Sequence, residues 1–275
     1  MFQTRSTKNG IFNSTAVFLS LVFHSTVRGI RSGHGNAVIS IVLSILQSLV
    51  MLAVFFLMFT FIGGRVSPIS GAPFILYLMS GILLFVCHTR AISAIMGAPA
   101  STSAMMKHAP LNTAVAIIAA ALGTLYTQTL SIIVILFVYH AIVSPIEILY
   151  PAAAARMVLL AWFSGCVIGL IFYALKPWFP NFVQIGSQVY IRINMISSGK
   201  MFIANALPGV MVSMFSWNPL FHCIDQLRGF VFLNYTPHKT SAEYPIYFSL
   251  SLIVIGLLGE FYTRKYASVS WDAKR

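Results

Sequence analysis

Three polar side chains recur at four-residue intervals within an otherwise apolar part of the sequence. Gln184, Gln188 and Arg192 would lie on one face of a helix. Amides hydrogen-bond to sugar hydroxyls, and a guanidinium binds a carboxylate or phosphate at two points. Within a membrane, such a stripe lines a polar pathway or hydrogen-bonds to another helix. Both interpretations stay open for these residues.

Aromatic side chains could provide stacking surfaces for sugars beside this stripe. Tyr190 lies in the same segment, and Phe56 and Phe59 lie in an earlier apolar run. Aromatic residues make up 13% of the chain, so most of them are expected to face lipid. We predict a substrate pathway formed by the polar stripe together with Tyr190, Phe56 and Phe59.

The sequence contains no motif of a self-contained enzyme. The one Gly-Lys pair, Gly199-Lys200, lacks the earlier glycine and the following Ser or Thr of a phosphate-binding loop. The three cysteines form no CxxC pair, which argues against a disulfide framework or a zinc site. His222, Cys223 and Asp225 cluster, but we do not expect them to bind a metal. We therefore predict no catalytic residue, no metal and no cofactor in this chain.

The composition defines the broad class of protein. The chain is 58% hydrophobic and 8% charged, with a mean hydropathy of +0.86. A soluble domain carries about 25% charged residues. The deficit extends over 275 residues, which predicts an all-α integral membrane protein with several spans. The net charge of +12 then reflects membrane topology, and we expect no nucleic-acid partner.

Six apolar runs are candidate membrane spans. An even number places both termini on one side of the membrane. If that side is cytoplasmic, it carries eleven Lys and Arg residues against five on the other side. This asymmetry predicts cytoplasmic termini, because Lys and Arg resist translocation. The runs are Ala37 to Ile62, Phe74 to about Ile95, Thr113 to Val138, Met157 to Leu175, Phe182 to Ser197, and Ile246 to Tyr262.

The segment before the first span, residues 12–31, has the period of an amphipathic helix. Leu19 and Phe23 belong to its apolar face, and His24 and Arg28 to a narrow polar face. A basic edge suits the headgroup surface of a membrane. The alternative is a signal peptide, but the segment has no convincing small-x-small cleavage site.

The loop over residues 97–110 joins the second and third spans on the cytoplasmic side. Ser101 suits a helix N-cap, and Lys107 and His108 suit a helix C-terminus. Met105 and Met106 would be exposed, as suits a partner's groove. We predict a short cytoplasmic helix, with a solvated turn as the alternative.

Two rows of small residues predict close helix packing inside the membrane. Gly165 and Gly169 form one row, and Ala119, Gly123 and Thr127 form the other. We expect a structural role for both rows.

Two short apolar runs precede the last span, over residues 201–215 and 220–233. A helix of such a length spans about 22 Å, whereas the hydrocarbon core is about 30 Å thick. Trp217-Asn218-Pro219 between them favours a turn near the membrane interface. Irregular backbone within a membrane needs burial in protein or a water-lined cavity. We therefore predict a re-entrant helical pair over residues 198–235 on the periplasmic side, serving as a gate.

These same residues resemble a known family. The chain resembles permeases of type-2 ABC exporters over nearly its whole length, and it is most similar to the branch that exports capsular polysaccharide across the Gram-negative inner membrane. Lys200 departs from the pattern, because the family is generally apolar there. The motifs are Ser198-Gly199, Phe202, Leu207-Pro208, Trp217-Asn218-Pro219-Leu220 and Arg228.

The resemblance implies a homodimeric permease that forms a single domain over residues 1–275 in the bacterial inner membrane. Two separate subunits would bind ATP and Mg²⁺, and the coupling helix that docks on them would be residues 101–108. The substrate would be a polysaccharide or glycolipid, delivered to periplasmic and outer-membrane export proteins. The implied periplasmic gate consists of Pro208, Trp217, Asn218, Pro219 and Arg228.

Two alternatives remain at the level of sequence. One is a type-2 ABC permease for lipid-linked O-antigen, teichoic acid or a drug. The other is a membrane-embedded assembly subunit or a transferase that needs no ATPase.

Overall fold

The computed structural model describes residues 11–32, 36–62, 64, 66–99 and 112–266. Within these residues the secondary structure is entirely helical. The predicted coupling helix and both chain termini lie outside the described residues. The helices are α1 (Ile11–Ser32), α2 (Ala37–Ile62), α3 (Phe74–Met96), α4 (Thr113–Ile142), α5 (Pro151–Leu175), α6 (Pro180–Ser197), a 3₁₀ turn (Ala204–Ala206), α7 (Gly209–Phe215), α8 (Pro219–Val231) and α9 (Glu243–Tyr266).

Five of these helices, α2, α3, α4, α5 and α9, are long and apolar enough to cross a membrane. They confirm five of the six predicted spans. The predicted fifth span coincides with α6, which has 18 residues. Its two glutamines, an arginine and two asparagines lower its hydropathy, so its role as a span stays a prediction.

Helix α3 lies at the centre of the bundle and is buried continuously from Leu76 to His88. Helix α5 packs closely against it through the predicted glycine row. A Cβ atom on Gly165 would clash with the carbonyl oxygen of His88, and one on Gly169 would lie 2.9 Å from the carbonyl oxygen of Ile92. The two backbones approach this closely because neither glycine has a side chain. The structural interpretation of this row is confirmed.

The second row of small residues, on α4, differs from its prediction. Ala119, Gly123 and Thr127 border a cavity between α4 and the helices α1, α2 and α3. The nearest atom to a Cβ on Gly123 belongs to Ile30 of α1, at 3.8 Å. A Cβ there would make only ordinary van der Waals contact, so α1 packs beside this row less tightly than α3 packs on the glycines of α5, and the row also lines the cavity.

Helix α1 agrees with the predicted amphipathic segment. It contacts the bundle through Val22, which is 4% exposed, whereas Leu19 and Phe23 are 60% and 64% exposed. Leu19 and Phe23 of the apolar stripe thus face away from the protein, whereas Ile30 lies towards α4. Such a surface suits contact with lipid.

Helix α6 runs back along the bundle from one end towards the other. The ammonium of Lys176, just before α6, donates to the carbonyl oxygen of Met96 at the end of α3. Beyond α6, a Cβ on Gly81 in the first third of α3 would lie 2.7 Å from the Cα of Lys200. Helix α6 therefore extends along most of the length of α3.

Helix α8 continues outward from the end of α6. Its start contacts the last turn of α6 through Asn218. Near its end, the Phe230 carbonyl oxygen accepts from the Tyr150 amide beside the start of α5. Asn234, shortly beyond α8, donates to the carbonyl oxygen of Ser70. The two short helices thus turn back at the level of the α6 terminus, and α8 then approaches the loops at that end of the bundle.

Candidate functional site

Arg228 organises the region between α6 and α9. It is fully buried, and its guanidinium donates to three backbone carbonyl oxygens: those of Gly199 at 2.8 Å, Phe202 at 2.6 Å and Lys200 at 2.8 Å. Its Nε donates to the Ser80 hydroxyl of α3 at 3.3 Å. The planar guanidinium has several N–H donors, which suits these three carbonyl oxygens because they lie outside the regular hydrogen bonding of a helix. Arg228, predicted as a gate residue, thus fastens α8 to the chain that follows α6.

The corner that Arg228 binds requires two glycines. Gly199 has a positive φ of +74°, a backbone conformation that residues with a side chain rarely adopt. A Cβ atom added to Gly199 would lie 2.8 Å from the ring of Phe221. Opposite the corner, a Cβ on Gly81 would lie 2.7 Å from the carbonyl oxygen of Lys200. The Arg228 guanidinium also stacks on Tyr77 of α3, 4.3 Å from the ring centroid. The corner is therefore clamped directly against α3.

Asp225 supplies a second anchor for the same segment. It is 2% exposed and accepts hydrogen bonds from the amide of Ala204, at 3.1 Å, and the hydroxyl of Thr240, at 2.8 Å. It also accepts from the hydroxyl of Tyr235. Burial and this carboxylate raise the pKa of the Tyr235 phenol. A buried carboxylate needs such partners, so Asp225 holds together the chain on both sides of α8.

His222 and Cys223, the other two members of the cluster, are also buried in the protein. The amide of Ser241 donates to Nδ1 of His222 at 3.0 Å, which leaves Nε2 to donate to the Ser216 carbonyl oxygen at 2.8 Å. Burial lowers the pKa of His222. The thiol of Cys223 is buried and free. In the part of the chain that the structure describes, no group of three His, Cys, Asp or Glu residues could hold a metal ion.

The Trp217-Asn218-Pro219 segment forms the turn between α7 and α8. The Asn218 side chain caps α8 by accepting from the Leu220 amide at 3.0 Å, and Pro219 begins the helix. The side-chain nitrogen of Asn218 donates to Oδ1 of Asn194 at 2.9 Å and to the hydroxyl of Ser197 at 3.0 Å, both on α6. The predicted turn is present, and Asn218 fixes it to the last turn of α6.

The remaining predicted gate residues lie at the surface of the single chain. Trp217 is 44% exposed, and its carbonyl oxygen accepts from the Tyr244 hydroxyl at the start of α9. Pro208 is exposed and precedes α7 as its N-cap. Helix α7 has no buried residue. Of the pair, α8 is therefore the fixed member and α7 the exposed one.

A chain of polar contacts continues from this turn into the bundle. Asn194 donates to the Tyr190 carbonyl oxygen, and the Tyr190 hydroxyl lies 3.2 Å from Nε2 of His88. Nδ1 of His88 lies 3.0 Å from the Ala161 carbonyl oxygen, so that nitrogen donates and Nε2 accepts from Tyr190. His88 was not among the predicted site residues, although a histidine within an apolar span is itself a signal of a polar contact inside the bundle. Tyr190 thus links α6 to α3.

The predicted pathway residues do not form one surface within the chain. Gln184, Gln188 and Arg192 are exposed along one face of α6. Tyr190 is half-buried, turned towards His88 and stacked edge-on with Phe172. The last two pathway residues lie elsewhere: Phe56 and Phe59 pack against Phe74, with ring centroids 6.3 and 5.6 Å away.

Lys200 is the most isolated ionisable group of this region. Its ammonium is buried and has no hydrogen-bond partner among the described residues. It lies 4.4 Å from the ring centroid of Phe55 and 3.9 Å from that of Phe85. Burial lowers the pKa of Lys200 to about 7. The position that departs from the family pattern is therefore an ammonium between two aromatic rings.

These features define a multi-span helical membrane protein with a polar-anchored helical pair before its last long helix. Two curated proteins of Escherichia coli, both called polysialic acid transport protein KpsM, are similar to the chain. One is 25% identical over 236 residues, which cover 84% of this chain and 88% of the relative. The other is 23% identical over 235 residues, with the same coverage of 84% and 88%. No protein-family model matches the chain. The relatives confirm the predicted resemblance to polysaccharide export permeases.

Proposed function

We propose that this chain is the permease subunit of an ATP-driven exporter that moves a surface polysaccharide across the bacterial inner membrane. The observation that carries the proposal is the similarity to two polysialic acid transport proteins along 84% of the chain. That length includes most of the bundle, so it is not a match to one hydrophobic helix. The helices long enough to cross a membrane fit this role.

The topology we propose has α6 as a sixth span and both termini in the cytoplasm. Helix α6 has 18 residues, which gives it a length of about 27 Å at 1.5 Å per residue. This length approaches the ~30 Å of a hydrocarbon core. The end of α6 contacts the turn at Asn218, from which α8 leads outward. The α7–α8 pair is then re-entrant from the periplasmic side and forms a gate.

A second copy of the chain would cover the exposed face of α6. Gln184, Gln188 and Arg192 are exposed there, and so are the apolar Ile185 and Ile196, at 66% and 67%. A helix that carries an arginine and two amides is costly to leave in contact with lipid. In a homodimer, the two stripes would face a shared polar pathway or each other. Two ATP-binding subunits would dock on residues 101–108 of each copy.

We further propose that the exported polymer is an anionic polysaccharide or glycolipid. The cargo named for the relatives, polysialic acid, carries carboxylates. Arg192 offers a planar fork that binds a carboxylate at two points. A drug or an uncharged lipid makes less use of this arrangement.

The test is deletion of the chain in its bacterial host, followed by complementation. If the chain is an exporter subunit, deletion should remove the polymer from the cell surface and make it accumulate inside the cell. Expression of the chain should restore the polymer at the surface. Purification of the chain with its ATP-binding subunit should give an ATPase that the polymer stimulates. Normal surface polymer after deletion would contradict the proposal. A deletion strain with no polymer anywhere would instead indicate an assembly subunit or a transferase.

A further inference from the structure

A cavity of about 800 Å³ lies between α1, α2, α3 and α4. It is at the end of the bundle where α3 ends and α4 begins, and it contains none of the gate residues or the α6 stripe. Its volume falls within the ~300–1,000 Å³ usual for small-molecule sites. The small side chains of Ala119, Ala120 and Gly123 form one wall and leave this space open. The cavity is therefore large enough to hold a small-molecule ligand.

The mouth of the cavity is basic. Arg90 of α3 and Arg28 and His24 of α1 line it, and the described residues around the cavity include no Asp or Glu. Arg90 is half-buried, and it makes no hydrogen bond or ion pair with another residue that the structure describes. A half-buried guanidinium without a counter-ion favours an anionic ligand, and its fork suits a phosphate.

A second polar group lies deeper in the same cavity. Gln128 is 3% exposed, and no described residue is a hydrogen-bond partner of its side chain. It lies fifteen residues after Thr113 at the start of α4, or about 22 Å along the helix. Arg90 lies six residues before the end of α3 at Met96, or about 9 Å. The cavity thus presents a cation near its mouth and, roughly 13 Å further in, an amide without a partner among the described residues. Its walls combine small apolar side chains with Ser and Thr hydroxyls, such as those of Thr26 and Thr124, that donate to carbonyl oxygens of their own helices.

We propose that this cavity binds one membrane phospholipid. Its phosphate contacts Arg90, with Arg28 and His24 beside it at the mouth. The glycerol and the start of an acyl chain extend inward from the phosphate, past Ala119 and Gly123 towards Gln128. Such a lipid fills the seam between α1 and the bundle. It is a bound component of the permease and is separate from the exported polymer.

The test uses the purified full-length chain, stripped of lipid in detergent and titrated with phosphatidylglycerol while native mass spectrometry counts bound lipids. We expect one tightly bound lipid per chain and none for diacylglycerol, which has the chains but no phosphate. Arg90→Gln should weaken binding roughly tenfold or more, as expected when one charge-assisted contact is lost. Arg156→Gln, on exposed Arg156 of α5, is the matched control and should bind as the unmodified chain does.

A second variant keeps the charge and removes the space. Ala120→Leu should weaken phosphatidylglycerol binding by a comparable factor, and it decides the matter if Arg90→Gln fails to fold. Absence of bound lipid from the unmodified chain after the titration, or binding by both variants as tight as by the unmodified chain, would overturn the proposal. Displacement of the lipid by inorganic phosphate at equal concentration would also overturn it, in favour of a free-phosphate site. Export activity is not the readout, so these outcomes are independent of the proposed function.

Discussion

Gly81 of α3 and Arg228 of α8 are so close that a Cβ atom on Gly81 would lie 2.9 Å from the Arg228 Nη2 atom. The same Cβ would lie 2.7 Å from the Cα and carbonyl oxygen of Lys200. The absence of a side chain at position 81 therefore lets Arg228 reach the three carbonyl groups that it binds. The anchoring of the whole helical pair depends on this contact.

Gly81→Ala should destabilise the protein by about 1–3 kcal/mol, because the added methyl group meets backbone atoms that cannot move aside without breaking the Arg228 contacts. Thermal unfolding in detergent measures the change. Gly209→Ala is the matched control, since no atom lies within 4 Å of a Cβ at that position. Equal unfolding temperatures for the two variants would show that α3 and the corner are not in contact.

The buried Lys200 should make stability depend on pH. Its folded-state pKa of about 7 lies below its ordinary value of 10.5, because burial disfavours the charged form. The unfolded chain therefore binds more protons between about pH 7 and pH 10, so stability should rise with pH across this range. Lys200→Met should flatten the profile and raise the unfolding temperature most at pH 7. A variant with an unchanged pH profile would assign the dependence to another group.

The six-span topology predicts the location of two reporter fusions. A reporter after Arg275 should be cytoplasmic, and one inserted near Ser241, ahead of α9, should be periplasmic. The two reporters flank α9, so their being on opposite sides tests α9. The side on which each lies tests α6, because without α6 as a span five crossings would leave Arg275 on the opposite side from a cytoplasmic N-terminus. Activity of both reporters on the same side of the membrane would contradict the topology.

The polar stripe of α6 should be accessible to water if it lines the pathway. Single cysteines at positions 184, 188 and 192 should react with a water-soluble thiol reagent, and cysteines at 185, 189 and 193 should not. The background should lack Cys87, Cys166 and Cys223, which are all buried and free. The absence of labelling along the stripe, in both resting and ATP-trapped complexes, would indicate a helix contact instead of a pathway.

Substitutions at Arg192 distinguish the same two roles through assembly. Arg192→Lys keeps the charge and loses the planar fork, so a pathway role predicts reduced export with an intact dimer. Arg192→Leu should insert at least as well, yet export should fail. If Arg192 instead forms hydrogen bonds between helices of the dimer, Arg192→Leu leaves the polar groups that it binds unpaired and weakens the dimer first. The yield of crosslinked dimer and the amount of polymer at the cell surface are both measured on the same cells.

Replacement of Met105 and Met106 by Asp should abolish export while membrane insertion stays normal. The two carboxylates would enter an apolar contact with the ATP-binding subunit, where an unpaired charge is strongly unfavourable. Loss of the contact is measured by co-purification of the ATP-binding subunit, and loss of export by the amount of polymer at the cell surface. Normal export would remove the case for a coupling helix at residues 101–108.

Five of the six predicted spans followed directly from the sequence. Runs such as Ala37 to Ile62 are apolar throughout and long enough for a membrane, and α2 has these same bounds. The glycines of α5 indicated close packing because only a missing side chain permits that approach, and Trp217-Asn218-Pro219 indicated a turn by its residue types alone. Periodicity and local conformational preference depend on neighbours along the chain, so the sequence alone determines them.

Tertiary structure alone determined which polar groups meet. Arg228 and Asp225 lie on the same short helix, but their partners at Ser80, Gly199, Ala204 and Thr240 are separated from them by up to 148 residues. The small-residue row of α4 could equally have packed tightly against another span, but it lies beside α1 and lines a cavity. Hydrogen bonds and cavities depend on distances between helices, and a hydrophobicity pattern fixes which face is apolar but not which neighbour that face meets.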